Sequence, residues 1–161
     1  MVLNFEGDKH SSLRFLRGIK NRFGATDEVG CFEQTAHGIR EVSDPSGLFL
    51  HHRTESVTGT AITVTMDGRR AMVTEVQTLA VTSEIRNPKR YVTGIDAGRV
   101  SMNLAVLSER CGLRLTEKEV YAATVGGMRI QEPAADLALA LALASTASGR
   151  PLPRTCLLYT S

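Results

Sequence analysis

The chain holds no tryptophan, and only 5% of its 161 residues are aromatic, so base-stacking surfaces have few residues to draw on. Its three cysteines, Cys31, Cys111 and Cys156, are odd in number and far apart, with no C-x-x-C pair. Neither a zinc site nor a disulfide framework follows from that pattern. Isolated thiols suit a reducing compartment, and a cytoplasmic location is expected. No apolar run approaches the length of a membrane span, and no charged-then-apolar signal segment opens the chain. The formal net charge of +2 is too small to announce a polyanion partner, so any such site must come from local clustering. The phosphate-cradling pattern G-x-x-x-x-G-K-[ST] is absent, and Gly126-Gly127 is only a tight turn with no Lys-Ser/Thr behind it. His51-His52 lies in a polar stretch, where adjacent residues converge poorly on a metal.

A hydrophobic content of 42% supports a packed core. The part up to about residue 45 reads as β-rich: strands over Val2 to Glu6 and Val29 to Gln34, with Leu13 to Lys20 between them. That middle stretch reads as extended, although Arg14 and Arg17 also suit one helical face. Ser43-Asp44-Pro45-Ser46-Gly47 marks a boundary, and residues 46–56 read as a linker carrying the apolar patch Leu48-Phe49-Leu50. From Val57 onward an α/β domain is expected. Thr58 to Met66 and Arg69 to Val81 form a hairpin about Asp67-Gly68. A helix over Gly98 to Arg110 carries Val100, Leu104 and Leu107 on one face and stops at Gly112. Val120 to Val125 is a short strand. Pro133 opens a helix that runs to Ser148 and ends at Gly149; its apolar circumference predicts a central, buried position.

Two clusters carry chemistry. Lys20-Asn21-Arg22-Phe23-Gly24 sets two cations about an amide, followed by an aromatic and a glycine, a grouping that can reach an anion from a tight turn. Arg86-Asn87-Pro88-Lys89-Arg90 is a dense basic stretch beside Tyr91, with Arg99 nearby; flexible cations of this kind neutralise phosphates without reading bases. Arg69-Arg70 reads as solvated charge.

The stretch from Val2 to Leu50 resembles the end of the ATPase core of the bacterial RadA (Sms) family of DNA repair proteins, and the pentapeptide is that family's signature. Nearly all of Val57 to Pro153 resembles the Lon-protease-like domain that follows the core in that family. The resemblance implies the terminal strands of a RecA-like core (1–45), a linker (46–56) and a Lon-like α/β domain (57–155). It assigns Lys20 and Arg22 to the ATP held by a neighbouring subunit, where cations stabilise charge developing in phosphoryl transfer. Asn21 and Gly24 would shape the turn and Phe23 would anchor it. True Lon-type proteases place a serine nucleophile in an Asp-Gly-Pro-Ser-Ala-Gly motif; here the matching stretch is Gln131-Glu132-Pro133-Ala134-Ala135-Asp136. Ala134 has no group to attack a carbonyl, which excludes peptidase chemistry there, and Gln131 replaces the usual aspartate. Arg86, Lys89 and Arg90 become candidate DNA contacts.

The implied parent is a homo-hexameric, DNA-dependent ATPase. It uses ATP and Mg²⁺ through a P-loop upstream, carries zinc in an N-terminal finger, and acts on single-stranded and branched DNA with the RecA recombinase to drive branch migration. Two alternatives stand beside it: a Lon-type protease, which Ala134 disfavours, and a non-enzymatic scaffold for ring assembly. Cys156-Leu157-Leu158-Tyr159-Thr160-Ser161 resembles the translation of a transposase-end sequencing adapter. The chain is therefore expected to be a fragment, with natural residues ending near Thr155, upstream strands missing, and a sheet edge left open.

Overall fold

In the computed structural model, the described residues are 1–7, 12–26, 28–42, 56–67, 70–85, 87–125, 128–153 and 157–158. The boundary at Ser43 to Gly47, the Leu48-Phe49-Leu50 patch, His51-His52, Gly68, Arg69, Arg86, Gly126-Gly127 and Cys156 lie outside them.

Strands β1 (Val2–Glu6), β2 (Leu13–Lys20), β3 (Val29–Thr35) and β4 (Gly38–Glu41) form an antiparallel meander in the order β1-β2-β3-β4. The extended reading of Leu13 to Lys20 therefore holds over the helical one. The β3–β4 turn is two residues long, with Thr35 paired to Gly38. The Thr35 hydroxyl closes it, accepting from the His37 amide at 3.2 Å and donating to the Gly38 carbonyl at 2.9 Å. Leu13, Cys31 and Val42 make a small buried cluster backed by Phe15. Across the rest of the sheet Val2, Leu3, Phe5, Ile19 and Ile39 are exposed. One layer of sheet cannot bury both faces, and no second layer is present among the described residues.

The second sheet is mixed, in the order β7-β8-β6-β5-β9. β5 (Thr60–Asp67) and β6 (Arg70–Thr82) form the expected antiparallel hairpin. β6 pairs antiparallel with β8 (Lys118–Thr124), and β8 pairs parallel with β7 (Arg90–Thr93). The basic stretch around Lys89 therefore runs into a short strand rather than staying a loop. Helix α1 (Ala97–Cys111) crosses between the parallel strands β7 and β8. Asp96 caps it, accepting from the Arg99 amide at 2.9 Å, and Gly112 ends it in the left-handed conformation. Val100, Leu104 and Leu107 are its buried residues, the face that the helical spacing gives.

A short 3-10 turn at Pro133–Ala135 leads into α2 (Asp136–Ser148), which packs on β5 and β6. Ala138, Leu139, Ala142, Leu143 and Ser145 are buried, while Leu137 is exposed. The helix is buried over most of its circumference, as its apolar sequence predicts: Ala140, Leu141, Ala144 and Ala147 also pack against the core, and Leu137 is its exposed apolar residue. β9 (Leu157–Leu158) pairs parallel with Ile62 and Thr63 of β5 and covers that edge over two residues. The main core joins Val76, Val120 and Ala122 of the sheet to Val100 and Leu104 of α1 and to Leu139 and Leu143 of α2.

Candidate functional sites

The pentapeptide begins on the last residue of β2. Lys20 pairs with Val2 across the β1–β2 ladder, and the following residues turn toward β3. Asn21 organises that turn from its centre. Its side-chain oxygen accepts from the Phe23 amide at 3.0 Å, and its amide nitrogen donates to the Ala25 carbonyl at 3.4 Å. This is the local side-chain-to-backbone bonding for which asparagine is suited. Gly24 sits beside it, with no left-handed backbone requirement; a Cβ there would stand 3.3 Å from the Asn21 side-chain nitrogen. Lys20 and Arg22 are exposed and make no ion pair with any described residue. Two exposed cations therefore stand at one end of the sheet, available to an anion. Phe23 departs from expectation: it is 86% exposed and anchors nothing on this sheet. The turn projects beyond the strands, so the ring has no layer to pack against among the described residues.

The basic stretch divides by role. Lys89 is exposed, while its carbonyl accepts from the Val120 amide at 3.1 Å. Arg90 turns back into the fold. Its Nη1 donates to the carbonyls of Pro88, Lys89 and Lys118, and its Nη2 donates to that of Thr116 at 2.8 Å. The guanidinium clasps the start of β7 to the loop before β8, whereas Lys89 makes no ion pair among the described residues. Arg99 is also engaged, donating to the Glu132 carbonyl and the Asp136 carboxylate, each at 3.0 Å. It ties α1 to the start of α2. Arg86 lies outside the described residues.

Ala134 is half-buried in the 3-10 turn and carries only a methyl group toward its surroundings. The charged residue that matters at this turn is its neighbour, Glu132. One carboxylate oxygen accepts from the Thr65 hydroxyl at 2.7 Å and the other from the Met66 amide at 2.9 Å. Burial pushes the Glu132 carboxyl up, but these donated hydrogen bonds outweigh it and hold the group below its ordinary value. Gln131 is exposed and lines an open polar cleft of about 530 Å³ with Arg99, Arg129 and Asp96. Sequence reasoning missed the bond between Glu132 and β5, since nothing in a single glutamate before a proline announces a partner 67 residues away.

Sequence reasoning also missed an aromatic pair. Tyr91 of β7 and Tyr121 of β8 are register partners, and their rings stack with centroids 4.8 Å apart and planes 7° from parallel. Alternation along paired strands was the available signal, but it required knowing that β7 and β8 are neighbours.

No protein-family model matches the chain. Three curated relatives, each described as DNA repair protein RadA, are similar to it. That of Mycolicibacterium smegmatis is 57% identical over 145 residues, covering 90% of this chain and 31% of the relative. That of Mycobacterium tuberculosis is 51% identical over 158 residues, covering 98% and 33%. That of Brucella abortus is 48% identical over 158 residues, covering 98% and 34%. At these identities this α/β chain is similar, over about a third of their length, to proteins described as DNA repair proteins. It belongs to the RadA family and spans about a third of the length of the curated relatives it matches. No helix among the described residues is long and apolar enough to cross a membrane.

Proposed function

We propose that this chain serves an ATP-driven DNA repair and recombination motor, with Lys20 and Arg22 reaching the ATP bound by a neighbouring subunit. The observation that carries the reading is the turn: two exposed cations with no ion pair among the described residues, beside an asparagine that organises the backbone after Lys20. A cation preset at a transferring phosphoryl group stabilises charge as it develops and costs no reorganisation. The meander of β1 to β4 supplies the closing strands of a RecA-like core, and the mixed sheet with α1 and α2 supplies a Lon-like domain. ATP, Mg²⁺ and the zinc finger belong to other parts of the full-length protein. That protein forms a hexameric ring in the cytoplasm, binds single-stranded DNA through Lys89 with Arg90 and Arg86 beside it, and drives branch migration with the RecA recombinase. Ala134 leaves the Lon-like domain a binding role.

DNA-stimulated ATP hydrolysis by the full-length protein tests this. Lys20→Ala and Arg22→Ala each lower kcat by about 100-fold or more, with unchanged thermal melting. Wild-type turnover in both variants would overturn the assignment. A scaffold without DNA contact is the second reading, favoured by the engagement of Arg90 with four backbone carbonyls. Under it, Lys89→Ala leaves DNA affinity and its salt dependence unchanged.

A further inference from the structure

The face of the mixed sheet opposite the helices carries a row of exposed side chains. Tyr91 pairs with Tyr121 across β7 and β8, and Tyr121 pairs with Leu79 across β8 and β6. All three are open to solvent, at 46%, 37% and 56% exposure. Beside them runs a mainly apolar groove of about 440 Å³, lined by Thr58, Thr60, Gln77, Leu79, Tyr91 and Tyr121 among others. That volume lies in the range of small-molecule sites. Two parallel rings left in water at the wall of such a groove form a π-surface rather than a packed core.

The charges around this face select the occupant. Lys89 lies just ahead of β7, two residues before Tyr91, and its carbonyl continues the ladder to the Val120 amide at 3.1 Å, which by strand alternation puts it on the Tyr91 side. It is exposed and unpaired among the described residues. Two carboxylates on this face are engaged: Glu75 accepts from the Gln77 amide nitrogen at 3.1 Å, and Glu119 accepts from the Tyr121 hydroxyl at 3.2 Å. An aromatic platform beside a free cation suits a ligand with a flat π-face joined to a phosphate.

We propose that this groove takes an unpaired base of single-stranded DNA, stacked on the Tyr91–Tyr121 pair, while Lys89 neutralises the adjoining phosphate. Gln77 lines the groove; its amide nitrogen donates to Glu75 at 3.1 Å, which leaves its amide oxygen to face the base edge. Stacking of this kind tolerates every base, because each has a π-face. The inference rests on the DNA-binding reading above and adds to it that the bases, not only the phosphates, are bound.

The test compares two single-stranded probes on the full-length protein, oligo-dT and an abasic strand of equal length with the same phosphates. Wild type binds oligo-dT more tightly. Tyr91→Ala and Tyr121→Ala weaken oligo-dT binding by about tenfold and leave abasic binding unchanged. Tyr91→Phe, which keeps the ring, retains the preference. Lys89→Ala weakens both probes together and lowers the salt slope by about 1. Equal wild-type affinity for the two probes, or unchanged preference in Tyr91→Ala, would overturn the base site while leaving phosphate binding intact. Absence of binding to either probe would overturn both readings. Loss of both affinities together with a smaller assembly in sedimentation for Tyr91→Ala would instead assign the face to contact between copies of the chain.

Discussion

The Glu132 carboxylate holds the Thr65 hydroxyl at 2.7 Å, joining the turn before α2 to the middle of β5. Thr65 is buried, so the bond satisfies a hydroxyl that water does not reach. Because the folded-state carboxyl sits below its ordinary value of 4.5, it favours folding when ionised. That contribution is present above about pH 4.5 and is lost as pH falls through the lower folded value. Glu132→Gln therefore costs about 1–2 kcal/mol near pH 7, since one of the two donors then faces an amide N–H. It also flattens the acid limb of stability. Urea titrations at about pH 7 and about pH 3.5 check both effects, the variant losing less than wild type on acidification.

Gly59 is fixed by its surroundings. Its φ is +78°, its amide donates to the Ser145 hydroxyl at 2.9 Å, and its carbonyl accepts from the Thr78 amide at 2.6 Å. A Cβ there would collide with the Thr78 carbonyl and the Thr146 hydroxyl. Gly59→Ala thus combines left-handed strain with overpacking and is expected to cost about 3 kcal/mol, read as a lower midpoint at unchanged slope in denaturant.

Thr74 gives the opposite expectation. Its hydroxyl is fully buried on β6 and has no hydrogen-bond partner among the described residues. Thr74→Val removes an unsatisfied polar atom while keeping the branched shape, and stability should rise by about 1 kcal/mol. Thermal melting measures it, as an upward shift of a few degrees, about 2–4 °C.

Phe23 separates stability from function. A ring that is 86% exposed adds little to the fold, so Phe23→Ala should change stability by less than about 0.5 kcal/mol. If the turn works against a neighbouring subunit, the same variant lowers DNA-stimulated ATP hydrolysis. Parallel melting and turnover assays distinguish this from a ring whose removal disturbs the fold.

Local signals carried most of the element pattern. The helical spacing of Val100, Leu104 and Leu107, the caps Asp96 and Gly112, and the Pro133-to-Gly149 bracket are all properties of contiguous sequence. So is the Asn21-centred turn, because asparagine bonds its own neighbours. What escaped depends on pairing between distant segments. Tyr121 joined Tyr91 only through the parallel β7–β8 register, and Glu132 joined Thr65 only through the placement of α2 on β5. Arg90 looked like a free cation because sequence cannot reveal that four carbonyls converge on it. The outward ring of Phe23 was likewise invisible, since an aromatic beside a turn reads as an anchor until the layer it would pack on is sought.

The central claim is that Lys20 and Arg22 act across a subunit boundary, and mixed assemblies test it most directly. Full-length subunits carrying Arg22→Ala are combined with subunits whose P-loop lysine is replaced, each inactive alone. The account predicts that mixing restores ATP hydrolysis, because some boundaries then join an intact P-loop to an intact cationic turn. Activity that stays absent at every ratio, although the two kinds co-assemble, would contradict it.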